Sequence, residues 1–193
     1  FSATVCGGLP VINVGERDLV AAQVQRVVGV FNSTSNYILS QMAAGDSYAA
    51  ALAEAQRRGI AETNPTLDVD GWDTANKLTI VANAVLGFSA TVRDVHPVTG
   101  IRALSPSPGP SLEGGGVWRL LGVAERRSGG YDLSVQPVVL PATHKLAQVD
   151  GWQMGVLFES DLFESIFISI DERGPTGTAA AMLRDVVNLH RDR

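Results

Sequence analysis

Apolar residues in this chain recur with a helical period up to about residue 105 and mostly with a period of two beyond residue 117; that change constrains the fold more than any other feature. In the first part, Asn32-Ser-Thr-Ser-Asn36 is a run of small polar residues suited to accept hydrogen bonds from the free N–H groups of a helix start. A helix is expected from about Ser35 to Ala44, burying Tyr37, Ile38, Leu39 and Met42, and Gly45-Asp46 stops it. Ser47 caps a second helix, Tyr48 to Arg58, which Gly59 ends. A third opens at Asp73, runs on through the almost wholly apolar stretch from Lys77 to Leu86, and stops at Gly87. Gly15 to about Gln25 reads as a short helix, Val27 to Phe31 as a buried strand, and Pro97 to Ile101 as a short extended piece. Phe1 to Val14 reads as two strand-like apolar runs parted by Gly7-Gly8.

The Pro/Gly/Ser run from Ser105 to Gly116 is expected to be a surface connection. Beyond it, Val117 to Ala124, Tyr131 to Leu140, Gly155 to Glu159 and Ser165 to Asp171 read as strands, and Ala179 to His190 closes the chain as a helix. This order predicts an α+β fold: a mixed β-sheet with helices mainly on one face, in one unit spanning residues 1–193.

Composition narrows the function by exclusion. A net charge of −5, with Lys and Arg in no stripe, argues against nucleic acid as a partner. Cys6 is the single cysteine, so neither an internal disulfide nor a Cys-based zinc cluster can form, which points to a reducing cytoplasm. No apolar run approaches the ~20 residues that span a bilayer, so no membrane is implied. His96, His144 and His190 are too scattered for a histidine metal site, and there is no Gly-x-Ser-x-Gly elbow, P-loop or G-x-G-x-x-G turn. The chain starts inside an apolar run and its first Met is Met42, so it is expected to be part of a longer polypeptide.

Against a background of only 18% charged residues, the stretch from Gly59 to Lys77 gathers Glu62, Asp68, Asp70, Asp73 and Lys77. Asp73 and Lys77 stand four apart at a helix start and project together from one face. Pro65 and Gly71 break the chain upstream, so Glu62 and Asp68 are expected on a loop delivered to that start. Two readings stay open from spacing alone: an ordinary surface ion pair, or a site in which carboxylates orient an ammonium that donates a proton to a developing oxyanion. Paired carboxylates of a glycosidase fit less well, because only Trp72 supplies an aromatic platform nearby.

The segments GGLPVI (Gly7 to Ile12), GVFNSTSNYIL (Gly29 to Leu39), EAQRRGIAETNPTLDVDGWDTANKLTI (Glu54 to Ile80), PATHKLAQVDG (Pro141 to Gly151) and the closing TAAAMLRDVV are collinear and together resemble the homoserine dehydrogenase family. The resemblance covers that family's substrate-binding and dimerisation part, without its N-terminal Rossmann domain. It implies NAD(P)-dependent interconversion of L-homoserine and L-aspartate 4-semialdehyde in threonine and methionine biosynthesis, with NADP or NAD as cofactor, in a cytoplasmic homodimer. It further implies that Lys77 and Asp73 are catalytic, that Glu62, Asp68 and Thr34 bind substrate, and that Gly7 and the turn at Gly174 face the cofactor. Backbone carbonyls of Val5, Gly7 and Leu9 would hold a sodium ion.

This chain departs from the family pattern at Ile60 (for Tyr), Asn64 (for Asp), Ser33 (for Gly), Ser2 (for Glu) and Arg173-Gly-Pro-Thr-Gly-Thr178 (for a Gly-Ala-Gly-Gly-like turn). Those changes cluster around substrate and cofactor. The alternatives are therefore a divergent homologue acting on another amino-acid aldehyde or alcohol, or a non-catalytic dimeric domain that binds a small molecule.

Overall fold

A computed structural model describes residues 1–104 and 115–191. Its centre is one six-stranded sheet in the order β2-β4-β3-β1-β5-β6. The strands are β1 (Val24–Val30), β2 (Val95–Val98), β3 (Gly116–Arg127), β4 (Gly130–Pro141), β5 (Met154–Ser160) and β6 (Glu164–Ile170). Every neighbouring pair is antiparallel except β2 and β4, so the sheet is mixed, as the sequence predicts. Two hairpins build most of it. β3 and β4 turn through Ser128-Gly129, and β5 and β6 turn through Asp161-Leu162-Phe163, closed by Glu164 in the left-handed region (φ 51°).

The helices are α1 (Val11–Asn13), α2 (Ser33–Ala43), α3 (Tyr48–Arg57), α4 (Thr66–Val69), α5 (Trp72–Ala84) and α6 (Pro175–Arg191). α2 and α5 pack on one face of the sheet against β3, and the main core lies between them: Phe31, Ile38, Leu39, Met42, Leu78, Val81, Leu120 and Phe158 are all buried. The alternation of β1 and β3 sends Val28, Val30 and Leu121 to the opposite face. There they form a smaller cluster with Leu140 and Leu157 under the 3-10 turn Lys145–Gln148. Arg119, only 2% exposed, pins that turn: its guanidinium donates to the carbonyls of Ala147 at 2.7 Å and Leu146 at 3.4 Å. Burial pushes its pKa down, and Asp150 across a 3.5 Å ion pair opposes that shift.

Four expectations need correction. Phe1 to Val14 is not extended; it forms a 3-10 turn (Ser2–Thr4), α1 and the start of a π-helical turn (Val14–Asp18), because Cys6 and Gly7 take consecutive left-handed φ values of 60° and 57° that turn the chain back. The helix read over Gly15 to Gln25 is only that π turn, and β1 already begins at Val24. The short extended piece is β2, shifted upstream, with a 3-10 turn at Ile101–Leu104 in place of its end. Asp68 lies on the single-turn helix α4 and not on a loop. The Ser105–Gly116 connection falls largely outside the described residues; its last residue opens β3.

Candidate functional site

The site is assembled where β1, the strand between β3 and β5, runs out into α2. The first elements to meet there are Phe31 and Asn32. Asn32 is the N-cap of α2: its Oδ1 accepts the Ser35 N–H at 2.8 Å. α4 and α5 approach the same point. They are joined through Gly71, which carries φ 87° at the N-cap of α5, a conformation that glycine adopts without a Cβ penalty.

That junction places Asp68, Asp73 and Lys77 around the end of β1. Lys77 Nζ is 2.7 Å from Asp73 Oδ2, the helical i,i+4 contact read from spacing, and donates to the Phe31 carbonyl at 2.9 Å. The pair is not a surface pair: the side chains are 17% and 28% exposed. The Phe31 carbonyl takes one of the three ammonium donors and the Asp73 carboxylate pairs with the charge, which leaves donor capacity for an incoming oxygen. The Asn32 amide donates at 2.7 Å both to Asp68 Oδ1 and to Asp73 Oδ2. Burial raises the pKa of Asp68; the Asn32 hydrogen bond, Lys77 and the Thr34 hydroxyl oppose that shift, while the nearby Asp73 charge adds to it.

Lys77 opens on a cavity of about 350 Å³ whose lining also includes Gly7, Ile60, Trp152, Glu172 and Gly174. The structure therefore brings the predicted Lys77, Gly7 and Gly174 to one cavity, with Asp73 and Asp68 linked behind Lys77. Thr34 is buried, and its hydroxyl donates to the Ile60 carbonyl at 3.0 Å, fastening the turn after α3 to α2. Glu62 is exposed: its carbonyl accepts the Gln56 side-chain amide at 3.1 Å, and its carboxylate makes no hydrogen bond among the described residues. Of the carbonyls expected around a sodium ion at Val5, Gly7 and Leu9, that of Leu9 already accepts the Val11 N–H at 2.8 Å. Among the described residues, no cluster of three or more His, Cys, Asp or Glu side chains is arranged to hold a metal.

Three groups at the site carry no role in the sequence reading. Trp152 comes from a distant loop that the buried Asn36 holds by donating to the carbonyls of Val149, Gly151 and Gln153; its ring meets Tyr37 edge-on at 5.8 Å. Glu172 is the second. Its carboxylate bridges the two glycine-containing elements, accepting the Gly8 N–H at 2.8 Å and the Thr178 hydroxyl at 2.9 Å. A Cβ at Gly7 or Gly177 would meet that carboxylate, which would have to shift, and Gly7 also holds a left-handed φ of 57° that favours glycine. The third is the amide of Asn32, which the polar run signalled as a cap or as a group presented to a ligand, not as a bridge between two carboxylates.

These residues fit the reacting end of a nicotinamide dinucleotide. The Lys77 ammonium, a side-chain-free backbone at Gly7 and the first turn of α6 border one open cavity. Among the described residues there is no turn to cradle a pyrophosphate.

A family model described as homoserine dehydrogenase matches residues 10–187. The NAD(+)-dependent homoserine dehydrogenase of Pseudomonas canavaninivorans is 35% identical over 193 residues, covering 99% of this chain and 54% of that protein. The homoserine dehydrogenase of Methanocaldococcus jannaschii is 35% identical over 190 residues, covering 97% of this chain and 55% of that protein. The crystal structure of a homoserine dehydrogenase from Thiobacillus denitrificans superposes with a TM-score of 0.85 at 34% identity, covering all of this chain and 46% of that one. A hyperthermophilic archaeal homoserine dehydrogenase in complex with NADPH shares the fold, with a TM-score of 0.85 at 24% identity. The chain spans about half the length of the curated relatives it matches.

Proposed function

The chain belongs to the homoserine dehydrogenase family, and on that premise we propose that it supplies the catalytic half of an NAD(P)-dependent oxidoreductase that interconverts L-homoserine and L-aspartate 4-semialdehyde. The observation that carries this reading is the Lys77 ammonium, held by Asp73 and the Phe31 carbonyl beside a cavity shared with Gly7 and Gly174. When bound, the dinucleotide supplies the hydride for reduction of the aldehyde. Lys77 donates the proton to the aldehyde oxygen as negative charge develops there, and Asp73, 2.7 Å from its ammonium, aims it. In the reverse direction the hydroxyl proton returns to Lys77.

Asp68 is the carboxylate that takes the substrate's ammonium group, with Thr34 fixing the Ile60 turn that walls the cavity. Glu62 joins them if the exposed turn after Gly59 closes over the substrate. A cation at the Val5, Gly7 and Leu9 carbonyls belongs to the family reading alone. A homodimer would use the sheet face opposite the helices, where Val123, Val138 and Phe167 are only partly covered. Among the described residues no helix is long and apolar enough to cross a membrane, and the biosynthetic reading places the enzyme in the cytoplasm.

The test is turnover of L-homoserine with NAD+ and with NADP+ by the full-length protein, beside Lys77→Ala. The variant should lose on the order of 100-fold or more in kcat; unchanged turnover would remove Lys77 from the mechanism. One observation favours a second reading. The Glu172 carboxylate occupies the donors at Gly8 and Thr178, beside Gly7 and in the Gly174 turn that the family resemblance directs toward cofactor, as a domain that binds a small amino acid without turnover could. Calorimetric binding of homoserine with no turnover under either cofactor would favour that reading.

A further inference from the structure

Resting on the homoserine dehydrogenase reading above, we propose that Asn32 is a positioning residue for the reaction: one side-chain amide, locked by the start of α2, holds Asp68 and Asp73 together and thereby aims Lys77. Asn32 is 5% exposed, so its contacts are with protein and not water. Its amide orientation is determined by chemistry. Oδ1 must face the Ser35 N–H at 2.8 Å, which turns both N–H bonds toward the carboxylates, one to Asp68 Oδ1 and one to Asp73 Oδ2, each at 2.7 Å. The flipped amide would set donor against donor at Ser35 and acceptor against two carboxylates.

The same Asp73 oxygen that accepts from Asn32 is ion-paired with Lys77, and the carbonyl just before Asn32, that of Phe31, is the hydrogen-bond acceptor of Lys77. Two consecutive residues at the end of β1 thus hold the substrate carboxylate, the orienting carboxylate and the proton donor. The groups facing Asp68 are Asp73 and Lys77 from α5, and Asn32 and Thr34 from the start of α2. Among those opposing its protonation, the Asn32 hydrogen bond is the foremost. A neutral double donor between two neighbouring carboxylates offsets part of their mutual repulsion, and at Asp68 it opposes the rise that burial and the Asp73 charge cause.

Capping and positioning can be separated because Asp and Ser cap a helix as well as Asn does, yet neither carries two donors. In the full-length enzyme, kcat should fall on the order of 100-fold in Asn32→Asp and about 10-fold in Asn32→Ser, from loss of hydrogen bonds to charged groups. In both, the acid limb of the pH profile should move to higher pH, further in Asn32→Asp, because Asp68 takes its proton more readily. Thermal melts confirm that each variant is folded. An Asn32→Asp enzyme within about threefold of wild type, with an unmoved profile, shows Asn32 to be a cap and overturns the inference. Carbon-13 NMR titration of the Asp68 carboxyl in wild type and Asn32→Ser reads the geometry without turnover: an upward shift supports the inference, and an unmoved titration overturns it. Should wild type leave homoserine unchanged, the functional reading fails by itself and the titration still decides the role of Asn32.

Discussion

The two readings of Asp73 and Lys77 that spacing leaves open differ by an energy that a double-mutant cycle can measure. An exposed i,i+4 pair contributes about 0.3–0.5 kcal/mol. Breaking a fully buried pair costs about 3–5 kcal/mol, because one charge is left without its partner. Here the side chains are 17% and 28% exposed at an N–O distance of 2.7 Å, and each keeps one further partner, the Phe31 carbonyl for Lys77 and the Asn32 amide for Asp73. The coupling between them should lie between the limits, at about 2 kcal/mol. The assay is urea unfolding of wild type, Asp73→Ala, Lys77→Ala and the double variant, with m-values compared to confirm that one transition is being read. For a chain of this size, Asp73→Ala alone should lower Tm by roughly 4–8 °C. A coupling under about 0.5 kcal/mol would refute the reasoning and return the pair to the surface category.

Asp68 gives a prediction with a definite sign. Its folded pKa lies above the ordinary carboxyl value, so the folded protein keeps a proton that the unfolded chain has already lost. The stability contributed by this group is present below the ordinary carboxyl pKa and falls as pH rises from there through the folded value. Asp68→Asn should therefore melt at or above the wild-type temperature at pH 7, while KM for homoserine rises more than about 10-fold; a lower melting point across neutral pH would contradict the burial argument. Arg119→Met removes the donors from the carbonyls of Leu146 and Ala147 and should cost about 2–3 kcal/mol. Limited proteolysis should then cut within residues 145–151, and an unchanged cleavage pattern would show that apolar packing alone holds that turn.

The mixed sheet was readable from sequence because its signals are local. β6 alternates as Ile166, Phe167, Ile168, Ser169 and Ile170, and Ser47 and Gly59 mark the ends of α3 by chemistry that acts within a few residues. The i,i+4 contact of Asp73 with Lys77 was readable for the same reason. What failed is non-local. Phe1 to Val14 has the composition of two strands, and only the consecutive left-handed residues Cys6 and Gly7, packed under Glu172 some 164 positions away, turn it back on itself. Asn32 was legible as a cap, since capping is a contact with Ser35; its bonds to Asp68 and Asp73 span 36 and 41 positions and leave no periodic trace. Glu172 and Trp152 reach the cavity by the same kind of long-range closure.

The Lys77 end of the site is mounted on the end of β1, which is laddered on both sides by β3 and β5. Amides in such a strand exchange with solvent only when the whole sheet opens, so the laddered N–H groups of β1 should report global unfolding. Glu172, by contrast, follows the edge strand β6, at the entrance to α6. Deuterium should enter there through local openings long before it reaches β1. The site is thus expected to have a slow-exchanging wall at β1 and a fast-exchanging rim at Glu172, and hydrogen exchange should resolve the two as separate phases.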